Sequence, residues 1–386
     1  MIARMTAALL FLVGCGTDGS TALAPRTEDA GIARDGGMTW DAGTVVDAGS
    51  LDAGASVDAG TARDGGITMD AGAVADGGVS IAQRCFPGLG AQGGGPTPDY
   101  DQFQPVIGSH CFGTNHQNIE GVQRVVFLGD SVTVGTPPTS AAQVYRARLA
   151  DRLAARFGLQ PPDIFWKSAN VFTGEATWRE SGDFASCAKW GARTDDLMSD
   201  NHQVLDCFPM NKRHLKTLVL LTLGGNDIFS LTKDGAHAPY EQSRAQVQGF
   251  VGLLRDAVRW MKDPANVPGG AFVVFGNMYE YTDATGDIAS CAGATLSGLD
   301  RWDRPQDLAR LVVWANEQFM SVAVETRADM ILMLEHFCGH GFRRDDPRSP
   351  CYRGPGAEPW FDLTCIHPNP AGHAAIANMM MSVVGE

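Results

Sequence analysis

The feature that most restricts this chain is an alternation of short apolar runs with amphipathic stretches between residues 122 and 383. Arg124-Val125-Val126-Phe127-Leu128, closed by Gly129, reads as a strand buried on both faces. Leu218 to Leu223, Ala271 to Phe275 and Met330 to Leu334 repeat that pattern. Between them, Tyr145, Leu149, Leu153 and Phe157 recur every four residues, which places them on one helix face. Phe250, Leu254, Val258 and Met261 predict a second helix, and Leu308, Leu311, Val312, Ala315, Phe319 and Val322 a third. Ser140 and Gln143 form a capping-box pattern ahead of the first helix. Asn369 followed by Pro370 marks the start of a last one. Such alternation requires parallel strands joined by right-handed crossovers, with helices on both faces of the sheet. In that architecture the functional site lies beyond the carboxyl ends of the strands.

The alternation occupies only part of the 386 residues. Residues 1–15 open with Arg4 and an apolar run and end in Leu12-Val13-Gly14-Cys15, too short to span a bilayer but laid out as a secretory signal. The run resembles a bacterial lipobox, in which the cysteine, here Cys15, becomes the lipidated first residue of the mature protein. Gly16 in the following position, where an Asp typically means inner-membrane retention, directs the expectation toward the outer membrane or cell surface. Residues 16–84 carry eleven acidic and four basic side chains, and Asp-Ala-Gly or Asp-Gly-Gly recurs from Asp29 to Asp76 at a period of six with a single five. A segment this poor in apolar side chains cannot offset its chain entropy, and it is expected to be a disordered acidic tether. The folded domain is then expected over residues 85–386. The formal charge of −14 argues against nucleic-acid binding, which needs clustered Lys and Arg.

Setting Cys15 aside leaves Cys85, Cys111, Cys187, Cys207, Cys291, Cys338, Cys351 and Cys365, an even set as expected of an oxidised, exported chain. Proximity suggests Cys85–Cys111 and Cys187–Cys207, and the rest stay open. A zinc site at Cys338 with His336 and His340 is the competing reading, but no Cys-x-x-Cys accompanies it.

Three motifs stand where strand ends are expected. Gly129-Asp130-Ser131-Val132 closes the first strand and Gly224-Gly225-Asn226-Asp227 the second, and His367-Pro368-Asn369-Pro370-Ala371-Gly372-His373 enters the last helix. A hydroxyl, an imidazole and an amide donor are the parts acyl transfer needs. In this order the blocks resemble the SGNH (GDSL) hydrolases, with Val132 where Leu is usual. The resemblance implies a flavodoxin-like three-layer α/β/α sandwich, an exported serine esterase or lipase without cofactor or metal, and a monomer. By the same resemblance Ser131 is the nucleophile and His367 the base. The oxyanion hole would comprise the Ser131 N–H, Asn226 and a glycine N–H, from Gly191 in Trp190-Gly191-Ala192-Arg193 or less directly from Gly174. The cysteine-rich style has a fainter likeness to the phospholipase B-like branch. One departure stands out. The family has Asp-x-x-His, but here Thr364 is three residues before His367 and Asp362 five before. Either Asp362 reaches the imidazole through a bent loop or a backbone carbonyl orients it.

Several residues carry a plainer expectation. Asp130 and Asp227 should organise turns, and His373 should pack within the last helix. Residues 168–186 and 339–361, the latter including Trp360, are long enough to be expected as substrate-facing insertions. Lipid esters, acylated glycans and small esters all suit the expected chemistry. An acyltransferase or polysaccharide deacetylase using the same site is an alternative, as is a surface binding module that has lost activity.

Overall fold

The computed structural model describes residues 79–89, 96–234, 237–291, 293–294 and 301–386. Cys15, the signal-like segment and the repeat from Asp29 to Asp76 lie outside the described residues. The strands are β1 Arg124–Gly129, β2 Ala169–Asn170, β3 Glu175–Ala176, β4 Glu180–Ser181, β5 Phe184–Ser186, β6 Thr217–Thr222, β7 Ala271–Gly276 and β8 Asp329–Ile331. The helices are α1 Ile81–Cys85, α2 Ser131–Val134, α3 Tyr145–Phe157, α4 Ile164–Lys167, α5 Gln203–Cys207, α6 Gly225–Asp234, α7 Tyr240–Lys262, α8 Pro305–Thr326, α9 Met333–Phe337 and α10 Pro370–Gly385.

Six strands form one sheet in the order β4-β5-β1-β6-β7-β8, with every neighbour parallel except the β4–β5 edge pair. The five parallel strands therefore follow the flavodoxin-like order, in which the second strand in sequence lies outside the first. Side chains alternate between two cores. Val126, Leu128, Val219, Leu221, Val273 and Phe275 face a cluster containing α7 and α8. Val125, Phe127, Leu218, Leu220 and Val274 face a cluster containing α3 and α10. Because both faces are covered, Val125 to Leu128 are all 0% exposed, which explains their unbroken apolar sequence. The protein is a three-layer α/β/α sandwich.

The departures from expectation have physical causes. The apolar run from Met330 to Leu334 does not stay extended: β8 stops at Ile331 and α9 begins at Met333, both fully inside the core. Apolar side chains alone do not distinguish a buried strand from a buried helical turn. Strand β5 lies inside the stretch expected to be a substrate-facing insertion, because Phe184-Ala185-Ser186 is too short to show a period. The Ser140–Gln143 pattern does not form a capping box: it stands at a 3₁₀ turn, Ala141–Gln143, where the Ser140 hydroxyl donates to the Gln143 side chain, and α3 starts later, after Val144, without a side-chain cap on its own element. Its first N–H, on Tyr145, instead donates to Nδ1 of the buried His373 in α10 at 3.4 Å. At the amino end, Ser80 and Gln83 form a true capping box on α1 and Ile81 is buried, so the folded part includes Ser80 to Arg84 as well as the residues from Cys85.

All eight cysteines from Cys85 onward are paired. Cys85–Cys111 and Cys187–Cys207 form as proximity suggested, and Cys291–Cys365 and Cys338–Cys351 complete the set. The pairing of Cys338 removes the zinc reading. His336 faces the Cys111 carbonyl at 3.1 Å and His340 the Glu358 carbonyl at 2.7 Å.

Candidate active site

The site is assembled at the carboxyl ends of β1, β5 and β6. Strand β1 ends at Gly129, whose φ of +125° and whose close approach to the Thr222 carbonyl oxygen, which a Cβ would strike, leave room for no other residue. The chain then turns sharply into α2. Asp130 caps that helix by accepting from the Val132 N–H at 2.9 Å, the structural role expected of it. Burial pushes the Asp130 carboxyl up to about 7, and the nearby Asp227 charge adds to the rise. Ser131 is thereby held as the first residue of α2, and its hydroxyl lies 2.9 Å from Nε2 of His367.

The chain leaving β5 runs on beside β1, with Cys187 N–H donating to the Phe127 carbonyl and Lys189 N–H to the Gly129 carbonyl, each at 3.0 Å. That path delivers Trp190, whose indole N–H donates to the Gly135 carbonyl just past α2 at 3.0 Å. Gly191 follows with φ +76° and makes no backbone hydrogen bond through its N–H. The N–H of Gly174, by contrast, is used within its own turn on the Asn170 carbonyl at 2.9 Å, which leaves Gly191 as the available glycine donor. Asn226, at the start of α6, donates one amide hydrogen to the Ala192 carbonyl at 3.0 Å and keeps the other free. Asp227 fastens the same two segments by accepting from the N–H and hydroxyl of Thr194, and burial raises its carboxyl to about 7. Asp195, Asp196 and Asp200 have oxygens within 4.8 Å of one another, but Asp195 pairs with Arg193 and Asp196 binds Asn201 and the Arg193 N–H.

His367 sits on a closed turn. Asp362 N–H donates to the His367 carbonyl at 2.9 Å, and Phe361 bridges Pro368. The Tyr279 hydroxyl, reaching over from the end of β7, donates to the Ile366 carbonyl at 2.8 Å, and the Cys291–Cys365 disulfide ties the turn to the segment after β7. Asn369 caps α10 by accepting from Ala371 and Gly372. Burial lowers the His367 pKa below the ordinary imidazole value, and the Asp362 charge opposes that fall. Neither sequence alternative for the third group holds in simple form. Nδ1 of His367 meets the Thr364 hydroxyl at 3.2 Å, and that hydroxyl meets Asp362 Oδ1 at 2.5 Å. Trp360, expected to face substrate, stacks on His340 at 3.7 Å between ring centres and packs edge-on against Phe337.

The sequence blocks and their spatial convergence correspond to one family model, that of the GDSL-like lipase/acylhydrolase family, which matches residues 127–375. The chain belongs to that family. It is therefore a carboxylic ester hydrolase of SGNH/GDSL type. Solved structures of similar fold include an extracellular lipase from Streptomyces rimosus, at 18% identity and TM-score 0.40, covering 68% of this chain and 100% of that one. An acetylxylan esterase from Geobacillus stearothermophilus aligns at 15% identity and TM-score 0.41, covering 70% and 97%. Phospholipase A1 from Streptomyces albidoflavus NA297 aligns at 18% and 0.39, covering 68% and 99%. No curated protein matches the chain.

Sequence reasoning did not assign Tyr279, Trp190 or Thr364. Tyr279 acts from a segment without a motif, and Trp190 stands in the Gly191 block with no role of its own. Thr364 stood in view as a mismatch, and nothing in the sequence shows that a hydroxyl there bridges to Asp362.

Proposed function

We propose that the protein is an exported serine ester hydrolase that works through an acyl-enzyme on Ser131. The Ser131 hydroxyl attacks the ester carbonyl carbon while Nε2 of His367 takes its proton. The resulting imidazolium returns that proton to the departing alkoxide, which leaves as the alcohol. Water, deprotonated by the same imidazole, then attacks the acyl-enzyme and releases the acid and the Ser131 hydroxyl. In this reading the N–H groups of Ser131 and Gly191 and the second amide hydrogen of Asn226 hold the oxyanion of both tetrahedral intermediates. The observation that carries this reading is the 2.9 Å contact between Ser131 Oγ and His367 Nε2, residues 236 positions apart.

Residues 1–15 serve in this proposal as a lipoprotein signal, Cys15 as the lipid attachment point, and the acidic repeat as a tether that holds the catalytic domain away from the membrane. Ester substrates of lipid, acylated-glycan or small-molecule origin suit the same chemistry, and short- and long-chain p-nitrophenyl esters distinguish among them. Turnover of such esters by the full chain, its loss in Ser131→Ala by roughly 10⁴-fold or more, and labelling of Ser131 alone by a serine-directed phosphonate test the mechanism. Wild-type turnover in Ser131→Ala would overturn it.

A further inference from the structure

The imidazole of His367 has no carboxylate on its far nitrogen. Among the described residues no hydrogen bond or ion pair joins Asp362 to His367 directly, and no backbone carbonyl accepts from Nδ1. What stands there is the Thr364 hydroxyl, 3.2 Å from Nδ1. A hydroxyl has one proton to give and two lone pairs to receive with. The proton of Thr364 goes to Asp362 Oδ1 at 2.5 Å, with the carboxyl oxygen as acceptor. The oxygen that remains presents two lone pairs: one faces Nδ1, the shortest of these three contacts, and the N–H groups of His367 at 3.3 Å and Ile366 at 3.4 Å share the other. Asp362 fixes the threonine a second time by accepting from the Thr364 N–H at 2.8 Å. The other carboxylate oxygen, Oδ2, is buried without a partner, and no cation pairs with Asp362 among the described residues.

The geometry points to Thr364 as a positioning residue that relays Asp362 to His367 in place of the family's direct contact. With its only proton committed to Asp362, Thr364 can meet Nδ1 only as an acceptor. Nδ1 must then carry the ring hydrogen, which leaves Nε2 bare and facing the Ser131 hydroxyl at 2.9 Å. During attack the Ser131 proton moves to Nε2 and no further. The Nδ1 hydrogen and the Thr364 hydrogen stay on their own atoms, and the imidazolium is stabilised through two hydrogen bonds in series rather than one. This explains how a chain with threonine three residues before the histidine keeps a working base. It rests on the proposed roles of Ser131 and His367.

The test compares Thr364→Val, which removes the hydroxyl at nearly constant shape, with Thr364→Ser, which retains it, and with Asp362→Asn, each in the full chain. A base held in the wrong tautomer loses turnover by about 10⁴-fold in a serine protease triad, and the longer relay here should lose about 10²-fold or more in kcat with KM little changed. Thr364→Ser should recover most of that loss. Because the two groups act in series, Thr364→Val/Asp362→Asn should be no slower than the worse single variant. The acidic limb of kcat/KM should move to lower pH in Thr364→Val and in Asp362→Asn, since each removes support for the imidazolium. A residue that only shapes the loop would leave that limb in place. Normal kcat and an unmoved limb in Thr364→Val would overturn the relay. Damage confined to Asp362→Asn would show instead that the carboxylate reaches the ring directly. Phosphonate labelling of wild-type Ser131 keeps these outcomes separate from failure of the hydrolase reading, which an unlabelled, Ser131-independent activity would reveal.

Discussion

Replacing Cys291 and Cys365 together by alanine tests how the catalytic turn is held. The disulfide they form closes 74 residues of chain, the longest loop of the four, while Cys338–Cys351 closes 13. In the chain-entropy treatment the first should contribute about 4.5 kcal/mol and the second about 2.9 kcal/mol, a difference of about 1.5 kcal/mol in favour of the longer loop. Cys365 is also two residues from His367, has φ +66°, and donates its N–H to the Asp362 carbonyl at 3.0 Å. Its loss should therefore loosen the turn that aims the imidazole, lowering kcat more than it raises KM. Guanidinium unfolding of the two double variants, read beside nitrophenyl ester kinetics in water, measures both effects. A smaller destabilisation in Cys291→Ala/Cys365→Ala than in Cys338→Ala/Cys351→Ala would refute the loop-length argument. Full kcat in the folded Cys291→Ala/Cys365→Ala variant would refute the claim that this bond positions His367.

Asn226→Ala should lower kcat by about 10²–10³-fold with little change in KM, since the free amide hydrogen acts on charge that exists only in the transition state; a KM effect alone would assign it to ground-state binding. The acidic limb of kcat/KM should lie below the ordinary imidazole value of about 6.5, because burial favours the neutral ring and the base stays unprotonated to lower pH; a limb above that value would contradict the buried setting of His367. Cys15→Ala should move the protein from the membrane fraction to the soluble fraction, and unchanged partitioning would remove the anchor from the proposal.

What could be read in advance followed from how strongly each residue is constrained by local physics. The middles of strands β1, β6 and β7 are buried on both faces, so Val125 to Leu128, Leu218 to Leu221 and Val273 to Phe275 are apolar without interruption. Ser131 comes two residues after Gly129, the last residue of β1, Asn226 follows Gly224-Gly225 just beyond β6, and Asn369 is a cap with Pro370 behind it, so their places are legible too. Strand β5 was not, because its three residues take their conformation from pairing with β1 and have no pattern of their own. The same holds for the cap of α3, supplied by His373 from the far end of the chain, and for the disulfide between Cys291 and Cys365. In the sequence Thr364 shows only as a departure from Asp-x-x-His. Its role depends on the bend that sets its hydroxyl between a carboxylate and an imidazole, and only coordinates reveal a bend.

The packing of α10 has a consequence for how the protein is made. Ile376, Met380 and Val383 on that helix cover the same core as Val125 and Phe127 of β1, and His373 completes the start of α3. Synthesis runs from the amino end, so the first strand of the sheet leaves the ribosome long before the helix that shelters it. Until α10 arrives, one face of the nascent sheet stays open and α3 has no partner for its leading N–H. Any chain broken between these elements carries that uncovered apolar face, the feature that chaperones and quality-control proteases recognise. Completion of folding is thereby made conditional on the same late segment that brings in His367, and fragments lacking the base also lack the cover needed to persist.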